Sequence, residues 1–327
     1  MGSSFPPVKF IRWIAAWLGI AALAASSGAA AQNWPAKPIR WVVPFPPGAS
    51  ADLTARLMSP RLGEQLKQPV LVENRAGAAS IVAMETVAKS APDGYTILFG
   101  NPTVVTSPIL YEMSFDPVKE LAPVVQLTGF HYVMLTSNAF PAKSVAEVVA
   151  LARDKPGVVT CASGGGMSEF GCGLLKALGH LELNQVRYKG NAPAMNDLIG
   201  GQVNLLFDIT SAAFPHVKSG RVRAIATTSG TRRPGPFSAL PTVSETIPGY
   251  EVTSWQGVLT RTGTPKEVIQ RLNREMVAAL GRDEVRQRLT ELGVEIAAGT
   301  PEAFAELIQS DALKYGKLIR EFHLRVD

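Results

Sequence analysis

Pro44-Phe-Pro-Pro-Gly-Ala-Ser-Ala-Asp52 is the stretch on which the reading of this 327-residue chain turns. It follows a short apolar run, Ile39 to Val43, rich in β-branched and aromatic residues. It precedes Leu53 to Leu66, where apolar residues recur at helical spacing, so the local pattern is strand, turn, helix. Three prolines stiffen the exit from the strand, Gly48 permits backbone angles closed to other residues, and Ser50 or Asp52 can cap the first N–H groups of the helix. Two readings follow. The turn is either an ordinary βα connection whose donors are capped internally, or a helix start left open to a cleft, which is an anion site.

The same unit recurs outward from this stretch. Pro69 to Asn74 is a second apolar run, followed by Arg75-Ala-Gly-Ala-Ala-Ser80 and a helical pattern over Ile81 to Lys89. Pro92-Asp93-Gly94 signals a turn into a third strand, Tyr95 to Phe99, closed by Gly100-Asn101-Pro102. Alternation on this scale predicts parallel strands joined by right-handed crossovers. A less regular passage, broken by Pro108 and Pro117, leads to two nearly consecutive strands, Ala122 to Phe130 and Tyr132 to Ser137, where the chain crosses into a second lobe.

There the rhythm resumes four times. Ser144 caps a helix to Asp154, with Glu147 at the capping-box position. Strands over 158–163, 184–188, 205–209 and 222–227 are each followed by a polar or glycine-rich loop. Tyr250 to Arg261 returns to the first lobe, and three helices finish the chain, two of them opened by Thr-Pro pairs. The expected fold class is α/β with two doubly wound lobes and a ligand cleft between them: lobe 1 from 32–133 plus 255–327, lobe 2 from 134–254.

Composition narrows the function. Apolar residues make up 46% and charged residues 18%, as in an ordinary globular protein. The net charge is +5, of which Lys9 and Arg12 supply two. That excess is too mild, and too little organised into a basic stripe, for a nucleic-acid binder. Residues 1–31 read as a signal peptide: a basic start at Lys9 and Arg12, an apolar core from Ile14 to Ala25, and small residues at Ala29 and Ala31, with cleavage near Ala31 and export to the periplasm. An oxidising compartment makes the two cysteines, Cys161 and Cys172, either a disulfide or two buried thiols; spacing does not decide.

Loops that follow strands are where open α/β sheets bind ligands. Four share one character: 47–52, 77–80, 163–168 and 189–191. Each offers backbone N–H groups and small hydroxyls at a helix start, two from each lobe, which suits two anionic groups such as those of a dicarboxylate. The chain lacks a dinucleotide fingerprint, a phosphate loop, a Gly-x-Ser-x-Gly elbow and a metal-spaced His/Cys cluster, so it reads as no enzyme and calls for no cofactor or metal. Asp208, at a strand end, is either a helix cap or an acceptor for a ligand amino or hydroxyl group. Phe170 and Trp255 are either core aromatics or walls for an apolar ligand body.

Seven segments in one order give the sequence a resemblance to a known family. They are Trp34-Pro-Ala-Lys-Pro-Ile-Arg40, Val43-Pro-Phe-Pro-Pro-Gly48, Val72-Glu-Asn-Arg75 with Gly77, Ala91-Pro-Asp-Gly-Tyr95, Arg187-Tyr-Lys-Gly190, Gly200-Gly-Gln-Val203 and Gly263-Thr-Pro-Lys-Glu267. Over residues 34 to 320 the chain resembles the Bug-type extracytoplasmic solute receptors, the binding proteins of tripartite tricarboxylate transporters. The resemblance implies a monomeric periplasmic binding protein of the Venus flytrap fold. Such a receptor captures a small organic carboxylate and delivers it to membrane permease subunits. It points to Phe45, Gly48, Ala49, Ser50 and Asp52 on one side of the ligand, and to Ser163, Gly165, Ser168 and Asp208 on the other.

Three departures from the family pattern bear on the ligand. Gly48-Ala49-Ser50-Ala51 replaces a glycine-richer turn, Ile81 replaces an Asn, and Phe170-Gly171 replaces a polar pair. A less polar distal pocket follows, and with it a ligand having an apolar or aromatic body. Two alternatives share the cleft: a receptor that feeds a sensor kinase, and, as a third class, a secreted α/β enzyme.

Overall fold

A computed structural model describes residues 34–77, 80–164, 166–233, 235–291 and 294–321. The expected signal peptide, residues 1–31, lies outside them, as does Gly165. Among the described residues no helix is long and apolar enough to cross a membrane.

The chain opens as β1 (Ile39–Val43), α1 (Ser50–Leu66), β2 (Val70–Asn74), α2 (Ile81–Ala88) and β3 (Thr96–Gly100). β1 lies between β2 and β3 and is parallel to both, as right-handed βαβ crossovers require. The passage that the prolines made look irregular holds two helices, α3 (Thr103–Leu110) and the single turn α4 (Pro117–Glu120). Pro108 sits inside α3, and Pro117 opens α4 at a position whose N–H has no helical partner.

One strand of 17 residues, β4 (Leu121–Ser137), then replaces the two expected short ones. Leu121 to His131 pairs antiparallel with β9 (Thr253–Arg261), which itself lies antiparallel to β3. Tyr132 to Ser137 pairs instead with β7 (Leu205–Ile209) and β8 (Val222–Thr227). Parallel strands β5 (Thr160–Ser163) and β6 (Asn184–Arg187) continue beyond β7. A single backbone therefore belongs to both sheets. Its register shifts between Pro123 and Val125, between Gln126 and Thr128, and between Met134 and Leu135, which lets a long strand bend without losing its ladder.

The outgoing and returning chains are clasped at this junction. The buried Thr228 hydroxyl donates to the Val252 carbonyl (2.6 Å) and accepts the Tyr132 N–H (3.2 Å). The helix α5 (Val145–Asp154) begins as the sequence predicts, the Ser144 hydroxyl accepting the Glu147 N–H at 3.2 Å. Helices α6 (Gly166–Gly179), α7 (Asn191–Ile199) and α8 (Thr210–Lys218) follow β5, β6 and β7.

Each sheet has its own core. Trp41, Phe99, Met58 and Leu62 are fully buried beneath α1 and α9 (Lys266–Leu280), whereas Phe207, Tyr250, Leu174 and Leu175 centre the other. The last helix, α11 (Pro301–Glu321), follows α10 (Asp283–Glu291) and the two-residue strand β10 (Glu295–Ile296). It packs Phe304, Ile308 and Tyr315 against the first sheet while Leu318 reaches the core of the second. The fold is α/β, with two sheets, each covered by helices, that share β4.

Cys161 and Cys172 form a disulfide with Cα atoms 6.0 Å apart. It staples β5 to α6, two elements already adjacent because that helix packs back onto its own strand.

Candidate functional site

The Pro-Pro-Gly turn is held from below by Asp52. Its carboxylate accepts the Gly48 N–H (2.9 Å), the Arg56 Nε (2.9 Å) and the Asn74 Nδ2 (2.8 Å), and Asn74 also donates to the Phe45 carbonyl (3.0 Å). Burial pushes the Asp52 carboxyl up, but these three donors outweigh burial and hold it below the usual carboxylate range. Gly48 stands at φ +86°, a conformation that glycine adopts without strain. The cap residue of α1 is Ala49, and no side chain caps that helix start. Its first N–H groups are thus left to whatever lies in front of them.

In front lies a cavity of about 650 Å³. Lobe 1 contributes Phe45 and Ser50 from this turn, Gly77 and Ser80 from the start of α2, and Asn101, Thr103 and Thr106 from the start of α3. Tyr132, Met167, Phe170 and Ile209 come from the opposite side, with Trp255 and Gln256 of β9 between them. Four helix starts thus converge on one space, since Gly166 of α6 also lines it. Two buried polar atoms of its lining residues lack partners among the described residues. Asn101 spends Oδ1 on the Thr103 N–H (2.8 Å), leaving its Nδ2, and the Thr103 hydroxyl, unpaired.

Among the described residues no Lys, Arg, His, Asp or Glu lines this cavity. Its polarity comes from backbone dipoles, amides and hydroxyls, and its bulk from aromatic faces: Phe45, Tyr111, Phe130, Tyr132, Phe170 and Trp255. Phe170 is fixed by an edge-on contact with Tyr315, ring centroids 5.0 Å apart. Trp255 is fixed by its indole N–H, which donates to the buried Asp311 at 2.8 Å.

A cleft between two α/β lobes, lined by helix starts, is a geometry that suits the capture of a small solute. The family profile described as "Tripartite tricarboxylate transporter family receptor" matches residues 54–324. The chain belongs to that family. Protein BugT of Bordetella pertussis is 31% identical to this receptor over 308 residues, covering 92% of this chain and 94% of the relative. Rpa4515 of R. palustris, solved with adipate, is 32% identical with a TM-score of 0.74, over 89% of this chain and 99% of its own. MatC (Rpa3494) of Rhodopseudomonas palustris, with bound malate, is 30% identical with a TM-score of 0.72, over 88% and 100%.

Of the residues that the sequence singled out in this receptor, Phe45, Ser50 and Phe170 line the cleft cavity together. Gly48, Ala49 and Asp52 do not line it. They shape and brace the turn behind Ser50, and Asp52 is turned inward to its three donors. Ser168 and Asp208 line a second cavity, of about 620 Å³, formed by the loops after β5, β6 and β7. The two cavities share Tyr132 and Ile209. Ser163, expected among the ligand contacts, is fully buried and lines neither cavity. It is the last residue of β5.

Gly164 after it explains the tightness of this corner. A Cβ there would stand 2.2 Å from the Asn191 backbone nitrogen, and the Gly164 N–H donates to Asn191 Oδ1 at 2.9 Å. Pro108 hides the α3 start at Asn101 and Thr103 in the sequence. Its one signal is Gly100-Asn101-Pro102, which closes β3 in the sequence pattern.

Proposed function

We propose that the receptor captures an organic carboxylate with an apolar or aromatic body in the cleft between its lobes, and delivers it to the membrane subunits of a tripartite transporter. In this scheme the chain is exported to the periplasm, cut near Ala31, and works as a monomer. Lobe 1 (32–133 plus 255–327) and lobe 2 (134–254) close on the ligand.

The carrying observation is a convergence of donors without charge. The start of α1, uncapped by any side chain, faces the same cavity as the Ser80 and Thr103 helix starts. Unspent N–H groups and the positive ends of helix dipoles favour an anion. A carboxylate accepts several such bonds, and the six aromatic side chains around it suit a hydrocarbon body. Relatives solved with adipate and with malate fit a carboxylate seat.

Calorimetric titration of aliphatic and aromatic carboxylates tests this. Tight binding of an aromatic or long-chain carboxylate, with the corresponding primary amide bound far more weakly, is the expected result. Binding only to small hydroxylated acids such as citrate would overturn the apolar part, and indifference to replacing the carboxylate by an amide would overturn the anion seat.

A further inference from the structure

We infer that the second cavity is a seat for a protonated amine, so that the ligand is an amino-carboxylate with its carboxylate at the α1 start and its ammonium beside Asp208. This rests on the carboxylate reading of the first cavity.

The second cavity carries a carboxyl group, which the first lacks among the described residues. Several of its donors are already spent inside the protein. The Asn191 amide donates to Asp208 Oδ1 (2.6 Å) and to the Phe207 carbonyl (3.2 Å), and the Gly164 and Ile209 N–H groups go to Asn191 Oδ1 and Asp208 Oδ1, both at 2.9 Å. The Ser168 hydroxyl donates its proton to the Phe207 carbonyl (2.7 Å). Two acceptors remain to meet a ligand: the lone pairs of Ser168 and the second carboxyl oxygen of Asp208, which has no hydrogen-bond partner among the described residues. Both side chains are more than nine-tenths buried, with Asp208 5% and Ser168 3% exposed.

Charge points the same way. The titratable side chains lining this cavity are Tyr132, Asp208 and His216, and Asp208 is the one acid among them. Burial and the nearby Asp208 push the Tyr132 phenol up, so it is neutral. Burial also pushes the Asp208 carboxyl up, and its bonds to Asn191 and Ile209 together with the nearby His216 offset this only in part. A buried carboxylate with a free oxygen is costly, and an incoming ammonium supplies both charge and donors.

A ligand carboxylate at this place would instead meet a like charge. The sequence pattern suggests an anion seat in each lobe. The structure puts a carboxyl group, Asp208, at one end of the paired cavities and no charged side chain among the described residues at the other, which matches a zwitterion better than a dicarboxylate.

Calorimetry near neutral pH decides between them, using two matched sets: 6-aminohexanoate, hexanoate, 6-hydroxyhexanoate and adipate, and then 4-(aminomethyl)benzoate, 4-methylbenzoate, 4-(hydroxymethyl)benzoate and terephthalate. In at least one set the amino member should bind about tenfold or more tighter than its monoacid, diacid and hydroxy partners, the scale of a desolvated charge pair. N-acetylation of that amine should abolish the preference on the unaltered receptor, and so should Asp208→Asn. A diacid or hydroxy acid that matches the amine, or a preference that survives acetylation, overturns the amine seat alone. Failure of every member of both sets to bind overturns the carboxylate seat as well.

Discussion

Placing a negative charge at the first residue of α1 separates binding from stability. Ser50 is exposed at that position and lines the cleft cavity, so Ser50→Asp sets a carboxylate where the ligand's own carboxylate is proposed to sit. Two like charges about 4 Å apart repel by about 4 kcal/mol at an effective dielectric constant of about 20. That corresponds to roughly a thousandfold loss of affinity. The same carboxylate complements the helix start, a gain of about 0.3–1 kcal/mol that should leave the melting temperature unchanged or raised by about 1–2 °C. Ser50→Asn keeps the size and removes the charge, so it should cost less than about tenfold in affinity. Thermal unfolding without ligand and calorimetry with the tightest-binding carboxylate measure both quantities. Equal affinity in Ser50→Asp and unaltered receptor, or equal losses in Ser50→Asp and Ser50→Asn, would refute the claim that the α1 start is an anion seat.

Other expectations concern the scaffold and the far side of the cleft. Replacing both Cys161 and Cys172 by Ser should lower unfolding stability by about 2–3 kcal/mol, the chain-entropy value for a loop this short, and denaturant titration with and without reductant checks it. Burial pushes the Asp208 carboxyl up, an effect that its bonds to Asn191 and Ile209 only partly offset. The folded chain therefore holds that proton more tightly than the unfolded chain. Above the unfolded value of about 4 its ionisation removes stability as pH rises. Asp208→Asn should consequently melt at the same temperature as the unaltered receptor in acid and above it at neutral pH; parallel melting curves from pH 4 to 8 would count against this. Phe170→Ala should weaken an aromatic carboxylate by about tenfold and a short aliphatic one by less, as read by titration. Thr228→Val leaves the Val252 carbonyl without its donor and should cost about 1–3 kcal/mol of stability, as read by denaturation.

The lobes were legible because each βα unit carries its own local signature: an apolar run, a Gly or Pro turn, a helical period. β1 to β3 and the helix caps at Ser144 and Thr300 are of this kind. β4 was not, since the change of partner at Tyr132 depends on which strands arrive from 70 to 130 residues downstream, and no local pattern encodes that. The site divides in the same way. Phe45 and Ser50 were legible because a strand-to-helix turn aims its first residues at the cleft. Asp52 looked like a cap or a contact, yet its fate was set by Arg56 and Asn74, the latter on a different strand. The boundary between two cavities at Tyr132 and Ile209 is a tertiary fact, because those residues face each other across the β4–β7 pairing.

Because β4 runs unbroken from one sheet into the other, the cleft has no slack linker at this crossing. Movement of one lobe against the other must twist a hydrogen-bonded strand at its register breaks, as a leaf spring flexes at its thinnest points. A ligand that touches both sides of such a joint can bias the whole molecule with a few contacts, without any strand having to come apart.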